Sequence, residues 1–192
     1  MVVAASVTMW FCYFPNQGNN PMQLLGSRSL LGLSLITAFT ILLTGCGPQP
    51  GATYAVEVLQ ISQKIPGAVQ GWGMVMEPWF QGGAVDQENL AKAQKRGNEA
   101  MKQVRDQIYA VAVPDDPKSQ EFAETIHGYA DWEVDVFMKA INEVSDLAQA
   151  ENPPSLQTLK KASMLLAPLE KEEKDWVKKI HSQAKALGVK IK

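Results

Sequence analysis

From Ala52 onward the apolar residues recur at intervals of three and four, and no other feature limits the fold as strongly. Tyr54, Val58, Ile61 and Ile65 are spaced 4, 3, 4. Gly97, Met101, Val104, Ile108 and Val111 are spaced 4, 3, 4, 3. Ala130, Val134, Phe137, Ile141, Val144 and Ala148 are spaced 4, 3, 4, 3, 4. A fourth seam runs through Leu159, Ala162, Leu166, Leu169, Glu173, Trp176, Ile180 and Leu187. Such residues share one face of an α-helix, which turns once every 3.6 residues. No segment alternates as a half-buried strand does. The spacing predicts an all-α domain, with helices over about 52–65, 86–111, 117–150 and 155–187. Short turns between successive helices favour an antiparallel, four-helix-bundle-like arrangement.

Local signals punctuate these segments. Pro66-Gly67 is expected to end or kink the first helix. Asp86 is suited to cap the second, with Val85 and Leu90 as a hydrophobic staple across it. Gly97 lies on the seam, where it either admits a neighbouring helix or weakens its own by about 1 kcal/mol. Asp116-Pro117 reads as an N-cap followed by proline at the first helical position. Glu151-Asn152-Pro153-Pro154 closes the third helix, and Gly188 is a C-cap for the fourth. Pro168 is expected to kink or split that helix. A one-residue phase slip there would turn Glu173 to water, avoiding the cost of a carboxylate facing a core.

The segment 66–85, PGAVQGWGMVMEPWFQGGAV, is read as a Gly- and Trp-rich connection. It is longer than the two to eight residues that usually join bundle helices. Two readings stay open. The segment forms a short extra helix or cap over an open bundle end. Alternatively Trp72, Met74, Met76, Trp79 and Phe80 form a surface that accepts a peptide, a lipid or an apolar ligand.

The net charge of −2 gives no reason to expect a nucleic-acid partner. The charges are unevenly placed. Between Met1 and Val56 the only charged side chain is Arg28. Residues 115–151 carry ten acidic and two basic side chains, whereas residues 152–192 carry nine basic and four acidic ones. Adjacent third and fourth helices would attract, although each exposed pair contributes little. Lys178, Lys179, Lys185, Lys190 and Lys192 complement a helix C-terminus and are candidates to touch anionic lipid headgroups.

The N-terminal quarter is a different kind of polymer. Leu30 to Thr44 is a run of 15 apolar or small residues without charge. About 20 are needed to span a hydrocarbon core, so the run suits a signal-peptide hydrophobic region better. Ser27-Arg28-Ser29 supplies the positive flank, which places a signal over residues 22–45. Leu43-Thr44-Gly45-Cys46 then resembles the lipobox of bacterial lipoproteins: an aliphatic residue, a small residue, Gly or Ala, then Cys. The resemblance covers about residues 22–47. It implies a diacylglyceryl group on the Cys46 thiol, cleavage between Gly45 and Cys46 by the lipoprotein signal peptidase, and further acylation such as palmitate. It also implies a domain in the cell envelope or periplasm, outside the cytoplasm, held to a membrane by an N-terminal lipid anchor. Residues 46–51 are then the lipidated cysteine and tether, and residues 52–192 the bundle domain. Residues 1–21 read as an upstream extension, with Met22 as the start, and Cys12 has no assigned role.

Chemistry-bearing motifs are sparse. Glu124 and His127 form a Glu-x-x-His, the spacing that ferritin-like di-metal bundles use because i and i+3 share a face. Those sites need the motif twice, and His181 is preceded at 178 by Lys178, so only half is present. Asp131 one turn on offers His127 an ordinary partner. A P-loop, GxSxG, HExxH and EF-hand loop are all missing from the sequence, and acylation would remove Cys46 as a nucleophile. No catalytic residue, metal or cofactor is therefore expected. The sequence points to a non-enzymatic interaction module with a membrane and an envelope protein or peptide as partners. The alternatives are a metal- or cofactor-binding bundle using Glu124 and His127, and a structural envelope protein.

Overall fold

The computed structural model describes residues 49–191, so the signal segment and Leu43, Thr44, Gly45 and Cys46 lie outside the described residues. The described chain is all-α, with no strand among the described residues. It forms α1 (Pro50–Ser62), α2 (Ile65–Phe80), α3 (Gln87–Ala110), α4 (Pro117–Trp132), a π-helical turn (Glu133–Phe137), α5 (Met138–Ala150) and α6 (Leu156–Ala186). These make four columns: α1 with α2, α3, α4 through α5, and α6.

The columns run antiparallel, as their ends show. At one end, here the base, the start of α1 meets the start of α4 and the end of α6. Gly51 is buried there, and a Cβ on it would stand 2.6 Å from Ser119 Oγ and 2.9 Å from Leu187 Cδ2. At the other end, the tip, Asn152 clasps the α2–α3 loop. Its side chain accepts from the Val85 amide at 2.8 Å and donates to the Val85 carbonyl at 2.7 Å. Gln87 adds a bond to the Ala148 carbonyl at 2.9 Å.

The caps form where the side-chain chemistry places them. Asp86 accepts from the Asn89 amide at 2.9 Å, Asp116 from Ser119 at 3.0 Å and Ser155 from Thr158 at 3.2 Å. Gly188 has φ of +91°, and the Val189 amide bonds back to Ala184 while Gly188 bonds to Lys185. This is the six-to-one, five-to-two pattern that satisfies the last carbonyls of α6. Val85 and Leu90 are both buried, in keeping with the expected staple.

In the first column residues 65–80 form a second helix, the first of the two readings left open for the Gly- and Trp-rich segment 66–85. Pro66 sits in the first turn of α2, where its missing N–H is not needed. Ile65, Val69, Trp72, Met76 and Trp79 are buried along it. Burying these large side chains offsets the weak helix propensity of Gly67, Gly71 and Gly73. α2 lies chiefly against α3, and Gly97 makes the approach possible. A Cβ on Gly97 would stand 3.2 Å from the Ala68 carbonyl oxygen and 3.6 Å from Met138 Cε.

The proposed apolar surface on this segment is mostly interior. Trp72, Met76 and Trp79 are buried, and Phe80 is half-buried, edge-on to Trp72 and Trp79. Trp72 Nε1 donates to Ser145 Oγ at 2.8 Å, and Trp79 Nε1 donates to the Glu151 carbonyl at 2.9 Å. Each indole thus places its single donor on a partner as it enters the core. Only Met74, at 66% exposure, faces water.

The last column departs from expectation. α6 continues through Pro168 without a change of phase. Ala162, Leu169 and Ile180 are buried, while Leu159, Leu166, Glu173 and Trp176 are half-buried on the same seam. Glu173 therefore stays inward and does not turn to water.

Candidate functional site

One place in the bundle breaks the local rules of the rest. The chain passes from α4 to α5 through the π-helical turn Glu133–Phe137. Such a turn inserts one residue into an α-helix, and insertions of this kind recur at functional sites. The buried positions Glu133, Phe137 and Ile141 step by four twice in succession, more than the α period supplies. The extra residue absorbs the difference. The expected seam holds at Ala130, Phe137, Ile141, Val144 and Ala148, which are all buried, and departs at one position: Val134 is half-buried, and Glu133 is inside at 2% exposure.

A buried carboxyl needs partners or a proton. Glu133 has the Tyr129 phenol, one turn back on α4, as hydrogen-bond partner. Glu173 approaches from α6. Burial pushes the Glu133 carboxyl up to about 8, the Tyr129 hydrogen bond pulls it down in part, and the Glu173 charge raises it again. Glu173 itself is raised by burial and by Glu170, against Lys174. The Tyr129 hydroxyl is raised well above the ordinary phenol range, first by burial and then by Glu133 and Glu173. Burial thus favours the uncharged form of Glu133 more than in an ordinary carboxyl, while the Tyr129 hydroxyl, as hydrogen-bond partner, opposes that shift in part.

Aromatic rings carry this buried group toward the surface. Tyr129 lies near-parallel to Trp132, with centroids 6.2 Å apart, and Trp132 meets Phe137 at 6.1 Å. Tyr129 also lies 6.3 Å from Trp176 on α6. Gly128 lets Trp176 lie on α4, because a Cβ there would stand 3.0 Å from its ring. Trp132 Nε1 donates to Glu172 at 2.8 Å. Glu172, Asp175, Trp176 and Lys179 line an open depression of about 290 Å³ outside this cluster. Its aromatic side chain and flanking charges can hold a polar or cationic side chain of a partner. Of these residues, sequence reasoning reached Glu173 and Trp176 through the seam. Glu133 was missed, and the only signal for it was the doubled four-residue step.

The Glu124–His127 pair does not converge. Glu124 is exposed, and the half-buried His127 ring stacks on Tyr109 at 4.1 Å with 13° between planes. Asp131 accepts the Tyr109 hydroxyl at 2.7 Å. Burial lowers the His127 pKa, opposed by Asp131, and Nε2 is buried with no hydrogen-bond partner. Among the described residues no group of three or more His, Cys, Asp and Glu side chains is placed to hold a metal ion. No described helix is long and apolar enough to cross a membrane. No family model matches the chain, and neither a curated protein nor a solved structure is found to be similar to it.

Proposed function

We propose that the protein is a lipid-anchored interaction module of the bacterial cell envelope, with Cys46 as its lipidated first residue and the bundle as its binding part. One observation carries the reading. Leu43-Thr44-Gly45-Cys46 closes an uncharged apolar run, and a packed helical domain begins at Pro50, four residues later. A signal that ends so close to a folded domain fits a sorting segment better than a piece of core. The non-enzymatic part of the reading rests on the missing catalytic motifs. We assign contact with an envelope protein or peptide to the open depression lined by Glu172, Asp175, Trp176 and Lys179, on the strength of its one aromatic side chain and flanking charges.

Mass spectrometry of the membrane fraction tests the anchor. The expected result is an N-terminal peptide that begins at an acylated Cys46 and is lost in Cys46→Ala. An unmodified Cys46 still joined to residues 22–45 would sink the reading. Crosslinking in envelopes tests the contact region. Wild-type protein is expected to capture a discrete partner that a Trp176→Ala, Asp175→Lys double variant loses, with both proteins equally folded by circular dichroism.

A further inference from the structure

The chain from α4 to α5 carries two registers for its inner face. Ala130, Val134, Phe137, Ile141, Val144 and Ala148 are spaced 4, 3, 4, 3, 4, which an unbroken α-helix satisfies with Val134 inside. The structure uses the other register. The π-helical turn Glu133–Phe137 takes up one extra residue, puts Glu133 inside and leaves Val134 half-buried. An apolar side chain thus stands next to an inner position that a carboxyl fills. The Tyr129 phenol beside that carboxyl and the Trp132 indole on Glu172, at 2.8 Å, favour the observed register. The burial of an acid opposes it.

The two arrangements differ in where the inserted residue sits. Moving it one turn toward the N-terminus rotates the residues it passes by about 100°, the turn of one helical residue. Val134 then takes the place of Glu133. Glu133 takes that of Trp132, at the margin where the exposed Glu172 lies. Trp132, now 8% exposed, turns toward the half-buried place of Asp131 and leaves Glu172. α5 keeps its register throughout. Gly128 gives the arriving insertion a weak stretch of helix. Helix register shifts of this size run on the microsecond to millisecond scale.

The charge on Glu133 selects between them. Its main influences are burial, Tyr129 on α4 and Glu173 on α6, and none supplies a positive charge to offset a carboxylate. Glu173 is itself acted on by Glu170 and Lys174. On α3, Arg105 pairs with Asp106 and Lys102 is exposed, and on α5 Lys139 is exposed. On the same helix Asp131 accepts the Tyr109 hydroxyl and Asp135 is exposed.

We infer that the π-helical turn is a proton-controlled register switch: while Glu133 keeps its proton the insertion stays at Glu133–Phe137, and when the proton leaves, the insertion moves toward the N-terminus, bringing Val134 in and Glu133 out. Rising pH therefore favours the outward register, and falling pH restores the inward one. A pKa of about 8 inside, against the ordinary 4.5 outside, lets ionisation shift the register equilibrium by roughly a thousandfold. The shift also frees Glu172, on the wall of the open depression, from Trp132. The switch does not rest on that depression having a partner.

The test uses the full chain in detergent micelles, with fluorotryptophan at all five tryptophans. The Trp132 resonance is assigned from Trp132→Phe. Fluorine spectra are read in light and heavy water between about pH 5 and 9. In wild type the Trp132 resonance is expected to move as pH rises and to gain a solvent isotope shift, with Trp72 and Trp79 unmoved. Glu133→Gln is expected to keep the low-pH signal throughout. Val134→Asn makes the outward register less favourable and is expected to raise the midpoint by about one pH unit, a tenfold change in the register equilibrium. A constant Trp132 signal in wild type overturns the inference. So does a signal that moves without gaining contact with water, which reports ionisation in place. A transition that survives Glu133→Gln belongs to Glu173 and overturns it as well. Circular dichroism is expected to stay equal at the two ends of the range, and a loss of helix would mean unfolding in place of a shift.

Discussion

Trp72 on α2 and Ser145 on α5 meet inside the core, the indole N–H donating to the hydroxyl at 2.8 Å. Ser145 in turn donates to the Ile141 carbonyl at 2.9 Å. The first column is thus tied to the third by a bond that water does not reach. Ser145→Ala leaves the indole donor unpaired and is expected to cost about 1–3 kcal/mol. Trp72→Ala leaves a large void and is expected to cost about 3–5 kcal/mol. Urea denaturation of the two single variants and the double variant measures both effects. A Ser145→Ala midpoint equal to wild type would remove the bond from the list of stabilising contacts.

Glu133 makes stability depend on pH in a stated direction. Its folded pKa of about 8 lies above the ordinary carboxyl value of 4.5. Between those values the folded state holds the proton more tightly, so the contribution of this group is greatest below about 4.5 and declines as pH rises toward 8. Glu173, raised in the same sense, adds to the decline, and Tyr129 faces the same group. Glu133→Gln keeps the shape and removes the proton equilibrium. The variant is expected to flatten the decline between about pH 5 and 8, and to gain on the order of a few kcal/mol over wild type at the upper end. Melts across that range provide the comparison, and parallel curves would contradict it.

Two glycine substitutions are expected to act with opposite sign. Gly71 is exposed in α2 with nothing within 4 Å of a new Cβ, so Gly71→Ala is expected to stabilise by about 0.5–1 kcal/mol. Gly97→Ala gains the same propensity but presses on the backbone oxygen of Ala68. Separating α2 from α3 is expected to outweigh the gain and leave a net loss of about 1–2 kcal/mol. Thermal melts of the pair check this, and a stabilised Gly97→Ala would show that the contact yields.

Gly51→Ala probes the base corner. Its Cβ would overlap Ser119 Oγ and crowd Leu187, both side chains that can shift. The expected loss is about 1–2 kcal/mol, confined to the start of α1. Hydrogen exchange is expected to speed up at residues 51–55 and stay unchanged at the tip. Uniform acceleration would instead mean that the corner governs global stability.

The parts of the fold legible in the sequence were those set by local chemistry. Asp86, Asp116 and Gly188 cap helices because their own side chain or backbone freedom does the work, whatever lies nearby. The seams of α3 and α6 were readable because nothing interrupts their period. α2 shows the same spacing at Ile65, Val69, Trp72, Met76 and Trp79, yet its glycines and prolines obscured it. There the burial of large side chains overrode weak local propensity, a tertiary effect that composition does not display. The site at Glu133 was harder to see. A single inserted residue exchanges Val134 for Glu133 on the inner face, and no residue type marks such an insertion. Pro168 misled in the opposite direction, since α6 passes it with its phase intact.

The Asn152 clasp on Val85 gives the bundle a particular mechanical character. A load applied at the tip and resisted at the base would not have to travel along α3 alone. Part of it would cross from the α2–α3 loop to the α5–α6 loop through two short hydrogen bonds. The columns are then strained in parallel, like staves under a hoop, and after a cut in the Gly82–Gly83 loop α2 would still be held at the tip by the Trp79 indole on the Glu151 carbonyl.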